Sequence, residues 1–442
     1  MRGTVEVPGI ESGPVEVLGP DRVLVPGNRW DLLPAAPDPT VTVVVTHFEQ
    51  PAQLARVLAA LDGWDVVVAD DGSAAPPQVP RGVQLVQQPD LGFRAAAARN
   101  LGASVATGRV LVFLDADIVP EPGFVPALVR HAAASPDVLA VGRRHHADLS
   151  GDGRELPAPA WLSEGLAQTH DLLEADGRSF RFVISAVLAC RRELFEDLGG
   201  FDERFVGYGG EDWDLAFRAW NNGALLVHEP GAVAVHDGPD WGTRDGDPAR
   251  KDAESARLAA LVPDPLTRGA PMPALLPDVL VDVMSYDVRC VHALLAQDHR
   301  DLQVRVQAVD EVHRGQVRTE PWTTDQERRA RVRVRLDQPV ALAPGVLSDA
   351  VRRVTEAPGR LVLTVAGEPV GTVTSTRALG RARRWPDVAD VVERCFGTAS
   401  LEVATLERRQ DLAGFLAAAG QDGVARWRLS DVGPAEPVGG GG

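Results

Sequence analysis

The chain has 442 residues, 45 % hydrophobic and 24 % charged, with a formal net charge of −17. At roughly 100–200 residues per domain that length gives two or three domains, and the acidic balance disfavours non-specific binding to nucleic acid or an anionic membrane. Cys190, Cys290 and Cys395 are odd in number and form no Cys-x-x-Cys pair, which argues against a disulfide framework or a zinc site and points to a reducing, cytoplasmic setting.

In chain order, residues 1–40 are rich in Pro and Gly, with short β-like pieces at Val15–Leu18 and Arg22–Val25. They predict an N-terminal arm or small hairpin packed on the next domain. The opening residues lack the apolar run of a signal peptide, and no stretch reaches the ~20 apolar residues of a membrane span. From Val41 the pattern changes to Val41–Thr46, a β-branched run suited to a strand buried on both faces. A helix over Gln53–Leu61 comes next, with Leu54, Val57, Leu58 and Leu61 on one side. Asp65–Asp70 is a second buried strand, Arg94–Val105 a helix and Val110–Asp115 a third strand. This alternation predicts an α/β domain over 41–261 with a mostly parallel, Rossmann-like sheet and ligands at the C-terminal strand ends. Residues 262–277 are Pro-rich and read as a linker. The pattern then restarts over 278–435, with strands at Val279–Met284 and Leu302–Asp310 around a helix at Val291–Gln297. Residues 436–442 read as a disordered Gly tail.

Polar residues gather where the strands end. Asp70-Asp71-Gly72-Ser73 closes the second strand, and a carboxylate there can accept from a base or a ribose hydroxyl, or simply shape an Asp-Gly turn. Asp115-Ala116-Asp117 closes the third. Carboxylates at i and i+2 share a face of a strand, and where the chain turns away two of them can converge on a hard cation such as Mg²⁺ or Mn²⁺. Gly207 to Asp214, GYGGEDWD, leads into a helix. Its acids suit the first turn's dipole, while Gly209 and Gly210 allow an acceptor to approach the backbone and Asp212 can serve as general base. His236 is a candidate imidazole ligand.

The order of these segments resembles glycosyltransferase family 2 and its relatives of GT-A fold, over about Val41 to Trp241, with bacterial chondroitin-polymerase-type domains the nearest likeness. VVVADDGS, LGFRAAAARNLG, VLVFLDADIVP, GGFDERFVGYGGEDWDLAFR and VHDGPDW carry it. The GYGGED segment also resembles the acceptor-side motif of β-1,4-galactosyltransferases. The resemblance implies an inverting transfer of a sugar from a nucleotide-diphosphate donor, usually UDP, to a hydroxyl of a glycan or small-molecule acceptor. It implies that Asp70 or Asp71 contacts the nucleoside, that Arg94 and Arg99 help hold the diphosphate, with a structural role equally open to Arg99 and Asn100, and that Asp115 lies near ribose and metal. Asp117 and His236 would be metal ligands. Tyr208, Gly209, Gly210 and Trp213 would line the acceptor side, with Asp212 the base and Glu211 its neighbour.

The second half carries an echo. Leu294–Glu311 resembles the start of a family 2 domain with Asp310-Glu311 where Asp70-Asp71 stand, and Ala357–Glu368 parallels Ala106–Asp117 with Ala366 and Glu368 at the metal positions. This predicts a degenerate GT-A-like copy without a metal site, against an α+β accessory domain for acceptor binding or for pairing with a second copy as a homodimer. Two other functions stay open from the residues alone: a nucleotidyltransferase, and a non-catalytic protein that binds glycans or nucleotide-sugars.

Overall fold

The computed structural model describes residues 15–239, 248–269, 274–309 and 313–405. Asp310-Glu311, Trp241, residues 406–435, the Gly tail and the first residues of the arm lie outside the described residues.

The arm is a hairpin of β1 (Glu16–Gly19) and β2 (Arg22–Leu24). The first α/β unit comes after it. Its strands are β3 (Val41–His47), β4 (Asp65–Asp70), β5 (Gln84–Gln87), β6 (Val110–Asp115), β7 (Ile118–Pro120), β8 (Val138–Ala147), β9 (Glu155–Leu156), β10 (Val187–Arg191) and β11 (Leu225–Asp237). Its helices are α1 (Pro51–Ala60), α2 (Ala95–Val105), α3 (Phe124–Ala134), α4 (Ala160–Gln168), α5 (Arg192–Leu198), α6 (Glu211–Asn221) and α7 (Pro248–Leu261). The strand order is β5-β4-β3-β6-β10-β8-β11-β7, with β9 on β8. The first four strands are parallel, β10 runs antiparallel to both neighbours, and β7 antiparallel to β11. Val43, Val44, Val45, Val112 and Phe113 are fully buried, as strands covered by helices on both faces require.

The Pro-rich stretch 262–277 is no loose linker. Val262 and Asp264 are buried, Asp264 caps α8 (Pro265–Arg268), and Arg268 pairs with Asp301 in the second unit. That unit has β12 (Val279–Val283), β13 (Leu302–Val306), β14 (Val332–Leu336), β15 (Val340–Ala341), β16 (Arg360–Val365), β17 (Glu368–Ser375), β18 (Thr398–Glu402) and β19 (Ala404–Thr405). Its helices are α9 (Val288–Leu295), α10 (Thr324–Arg329), α11 (Val346–Glu356), α12 (Thr376–Arg384) and α13 (Val391–Phe396). Helix α9 begins earlier than its apolar spacing suggests, because the Asp287 side chain caps the Arg289 amide at 2.8 Å.

The second sheet runs β13-β12-β14-β17-β16-β18. Strands β12, β13 and β14 are parallel, β17 is antiparallel to both neighbours, and β18 is parallel to β16. This is the order and direction of β4-β3-β6-β10-β8-β11. The small pair β15–β19 repeats β7–β11. Arg331–Arg353 then matches Arg109–His131 without a gap: Leu336-Asp337 falls on Leu114-Asp115 and Pro344-Gly345 on Pro122-Gly123. Gly123 and Gly345 precede α3 and α11 with φ of +86° and +84°.

The echo drawn over Ala357–Glu368 is therefore corrected. Strand β16 occupies the place of β8, not of β6, and Ala366-Gly367 is a two-residue hairpin turn with φ of +51° and +83°. In the corrected register Asp337 stands at Asp115 and Pro339 at Asp117. Thr405, opposite Val340, stands where His236 lies opposite Ile118. The two units meet over the arm: Val23 and Val25 join the first core, while Leu24 packs with Trp385, Val391 and Cys395.

Candidate active site

The site forms where β4, β6 and β11 end and α6 begins. Asp70 is 0 % exposed. It accepts from the Ser73 amide and hydroxyl at 3.0 and 2.6 Å and from Gln87 at 3.1 Å, and its Oδ1 lies 2.7 Å from His47 Nδ1. Burial works against its charge, but these hydrogen bonds outweigh it and hold the carboxyl below its ordinary value. Asp70 thus shapes the turn that closes β4. Asp71 accepts from the Arg94 amide at 2.7 Å and from Gln88, and burial pushes its carboxyl up. The Arg94 guanidinium turns back to the Pro89 carbonyl at 2.7 Å. These residues fix the loop that flanks the cleft.

Arg99 is 3 % exposed and joins the two halves of the cleft. It donates to Asp115 Oδ1 at 2.8 Å and to Glu211 Oε1 at 3.0 Å, with the Phe201 ring 5.3 Å below. Burial opposes its charge, but the two carboxylates outweigh it and hold the guanidinium more firmly protonated than usual. Arg99 is consequently a strut between the Asp-x-Asp turn and α6, with its charge already committed. Asn100 beside it bridges to the Phe201 backbone.

Asp117 faces His236, with Oδ2 3.6 Å from Nε2, and Gln50 lies 3.4 Å away. His236 Nδ1 donates to the Gly238 carbonyl at 2.9 Å, which leaves Nε2 turned towards Asp117. Burial opposes the imidazole's charge, but the bond to Asp117 outweighs it and raises the group above its ordinary value. This oxygen and nitrogen pair suits a divalent cation that fills its remaining positions with phosphate oxygens and water. Asp115 is tied to Arg99, and among the described residues no three His, Cys, Asp or Glu side chains form a closed metal cluster.

Across the cleft, Gly209 and Gly210 adopt φ of +89° and +96°. A Cβ on Gly210 would stand 2.8 Å from the Phe205 ring, so the turn into α6 needs glycine there. Tyr208 packs on Phe93 at 5.6 Å, and burial with the nearby Asp115 and Asp212 charges pushes its phenol up. Trp213 instead turns inward, edge-on to Phe180 at 6.2 Å, so its indole belongs more to the core than to an acceptor surface. Glu211 is 7 % exposed, and its Oε2 is buried without a hydrogen-bond partner. Asp212 accepts from the Trp213 amide at 2.8 Å. Burial, then the charge of Glu211, push its carboxyl up to about 7.

The raised value at Asp212 carries a stability consequence. Between about pH 4 and 7 the folded state holds a proton that the unfolded chain releases, so stability falls as pH rises through that window. Asp212→Asn removes the titration. It should stabilise the ligand-free protein on the order of 1–3 kcal/mol at pH 8 and far less at pH 5. Equal shifts in melting temperature at both pH values would show that Asp212 ionises normally.

Residues not singled out from the sequence also line the site. Arg144 on β8 acts electrostatically on both Tyr208 and His236. Arg56 pairs with Asp237 behind the metal pair, and the His146 ring lies 4.8 Å from that of His236. None belongs to a local motif; the register of β8 on β11 sets Arg144 opposite Ala234 and His146 opposite His236, and α1 supplies Arg56.

Comparisons with known proteins agree with this layout. Residues 42–199 match the profile of glycosyl transferase family 2, and residues 177–231 match that of the N-terminal domain of galactosyltransferase. A pre-mycofactocin glycosyltransferase of Mycobacterium tuberculosis is 32 % identical over 208 residues, 45 % of this chain and 42 % of that protein. The chondroitin synthase of Escherichia coli is 26 % identical over 314 residues, 60 % of this chain and 46 % of that protein. Among solved structures, a mannosyltransferase of Pyrobaculum calidifontis in complex with GDP-Man and Mn²⁺ shares 23 % identity, with 52 % of this chain and 66 % of that chain covered at a TM-score of 0.36. The chain spans about half the length of the curated relatives it matches. The first α/β unit therefore matches glycosyl transferase family 2 over residues 42–199 and runs on through a match to the N-terminal domain of galactosyltransferase, residues 177–231, which carries Glu211 and Asp212.

Proposed function

We propose that the first unit transfers a sugar from a nucleotide-diphosphate donor to an acceptor hydroxyl, in one displacement that inverts the anomeric centre. The observation that supports this reading is the Arg99 strut, which donates both to Asp115 of the Asp-x-Asp turn and to Glu211 beside Asp212. Asp117 and His236 would hold Mn²⁺ or Mg²⁺, and a divalent ion there would neutralise charge on the leaving diphosphate. Arg144 adds positive charge on the same side. Asp212 takes the acceptor proton, its carboxyl lying near neutral pH as a general base requires. The unpartnered Glu211 Oε2 can accept from the acceptor and orient it. UDP is the nucleotide that the family resemblance implies. No described helix is long and apolar enough to cross a membrane.

The test is calorimetric titration of the full chain with UDP-, GDP- and dTDP-sugars, with Mn²⁺ or Mg²⁺. One metal-dependent binding event per chain is expected, because the second unit has Pro339 and Thr405 at the Asp117 and His236 positions. No binding by any donor would remove the reading. Two equivalent events per chain would show that the second unit keeps a donor site.

A further inference from the structure

The described face of α6 away from the cleft is held by the second unit. In its first turn Asp214, fully buried, accepts from Arg218 within the helix at 2.8 Å and from Arg329 of α10. Arg329 is itself 1 % exposed and spends its other donors on Asp202 at 2.6 Å, Asp325 at 2.5 Å and the Leu261 carbonyl at 2.8 Å. Its own carbonyl accepts from Asn221 at the far end of α6 at 3.0 Å.

That far end is gripped by α12. Arg377 lies 3.3 Å over the Trp220 ring and donates to the Ala224 carbonyl at 2.8 Å. Arg381 donates to the Gly223 carbonyl at 2.6 Å, and Arg384 to that of Asn222. A Cβ on Gly380 would stand 2.6 Å from the Asn222 carbonyl, so the two backbones touch. These guanidinium groups satisfy the carbonyls of Asn222, Gly223 and Ala224 just past the helix and place cations where its dipole favours them.

We propose that the second unit, a copy of the fold without the metal pair, serves as an intramolecular brace for α6, and that Arg329 is the positioning residue that sets the first turn bearing Glu211 and Asp212. The proposal rests on the reading of Asp212 as base. Simple adhesion of two domains would not require the anchor to fall on Asp214, one residue from Trp213 and two from Asp212.

The test compares Arg329→Met and Arg329→Lys with Arg331→Met, in the full chain and well below their melting temperatures. Arg331 is a largely enclosed arginine that pairs with Asp264 and Asp278, away from α6. Because a misplacement of about 1 Å can cost on the order of 100-fold, Arg329→Met should lower kcat at least ~10-fold with donor affinity within about twofold. Amide hydrogen exchange over residues 211–215 should quicken, and Arg329→Lys should recover part of both. Arg331→Met should lose comparable thermal stability yet keep kcat and the exchange of α6. Wild-type kcat and exchange in Arg329→Met, or equal losses in Arg331→Met, would overturn the brace. Exchange is read without substrate, so faster exchange in a protein that transfers no sugar would refute the transferase reading and leave the brace standing.

Discussion

Asp212→Asn should transfer sugar about 10²–10⁴-fold more slowly than the native chain while binding metal and donor nearly as well. The acceptor hydroxyl must lose its proton as it attacks the anomeric carbon, and asparagine keeps the shape of the side chain without its basicity. The native pH profile of kcat/KM should rise through a limb near 7, where burial and Glu211 have brought the Asp212 carboxyl. The limb should vanish in the variant. Glu211→Gln is the comparison. Its Oε1 is fixed by Arg99 and its Oε2 is free to accept, so the glutamine should raise the acceptor KM more than it lowers kcat. Near-native transfer by Asp212→Asn beside an inactive Glu211→Gln would exchange the two roles. Full activity in both would end the acceptor-side reading.

Much of the first unit was legible because its signals are local. Val41–Thr46, Asp65–Asp70 and Val110–Asp115 are apolar runs, the last two ending in acids, and the strands occupy almost those bounds. Roles that depend on where a side chain turns were not legible. Asp70 and Asp71 stand together in sequence, yet Ser73, His47 and Gln87 occupy the first. Trp213 stands next to the carboxylates but its place on α6 directs it to Phe180. In the sequence Arg99 is open to a diphosphate or a structural role, and only the approach of α6 to α2 reveals its two carboxylate partners. In the second unit an Ala/Val/Arg-rich composition gave a similar string at the wrong strand. Register decided the matter: the hairpin of β16 and β17 cannot occupy the central place of β6, whereas β14 does.

Asp117→Asn should abolish the metal dependence of donor binding rather than the shape of the site. The Gly238 carbonyl accepts the His236 Nδ1 proton, so Nε2 faces Asp117. Burial opposes the imidazole's charge, but the bond to Asp117 outweighs it and raises the group above its ordinary value. A bound cation would displace the Nε2 proton and leave the carboxylate as the charged ligand. Loss of the carboxylate removes the one charged member of this pair. Substitutions that merely support a metal ligand typically cost 10–100-fold in affinity, so removal of a ligand should cost at least about 100-fold in Mn²⁺-dependent donor affinity. Mn²⁺ should raise the melting temperature of the native chain through binding to the folded state, and should do so much less in Asp117→Asn. Donor affinity that is the same with and without EDTA would sink the assignment. Asp115→Asn should behave differently. Asp115 holds Arg99, and through it Glu211, so its loss releases the strut and should lower kcat in addition to any loss of donor affinity. If Asp115→Asn instead reproduced Asp117→Asn in every respect, Asp115 would belong with the metal and the strut would be dispensable.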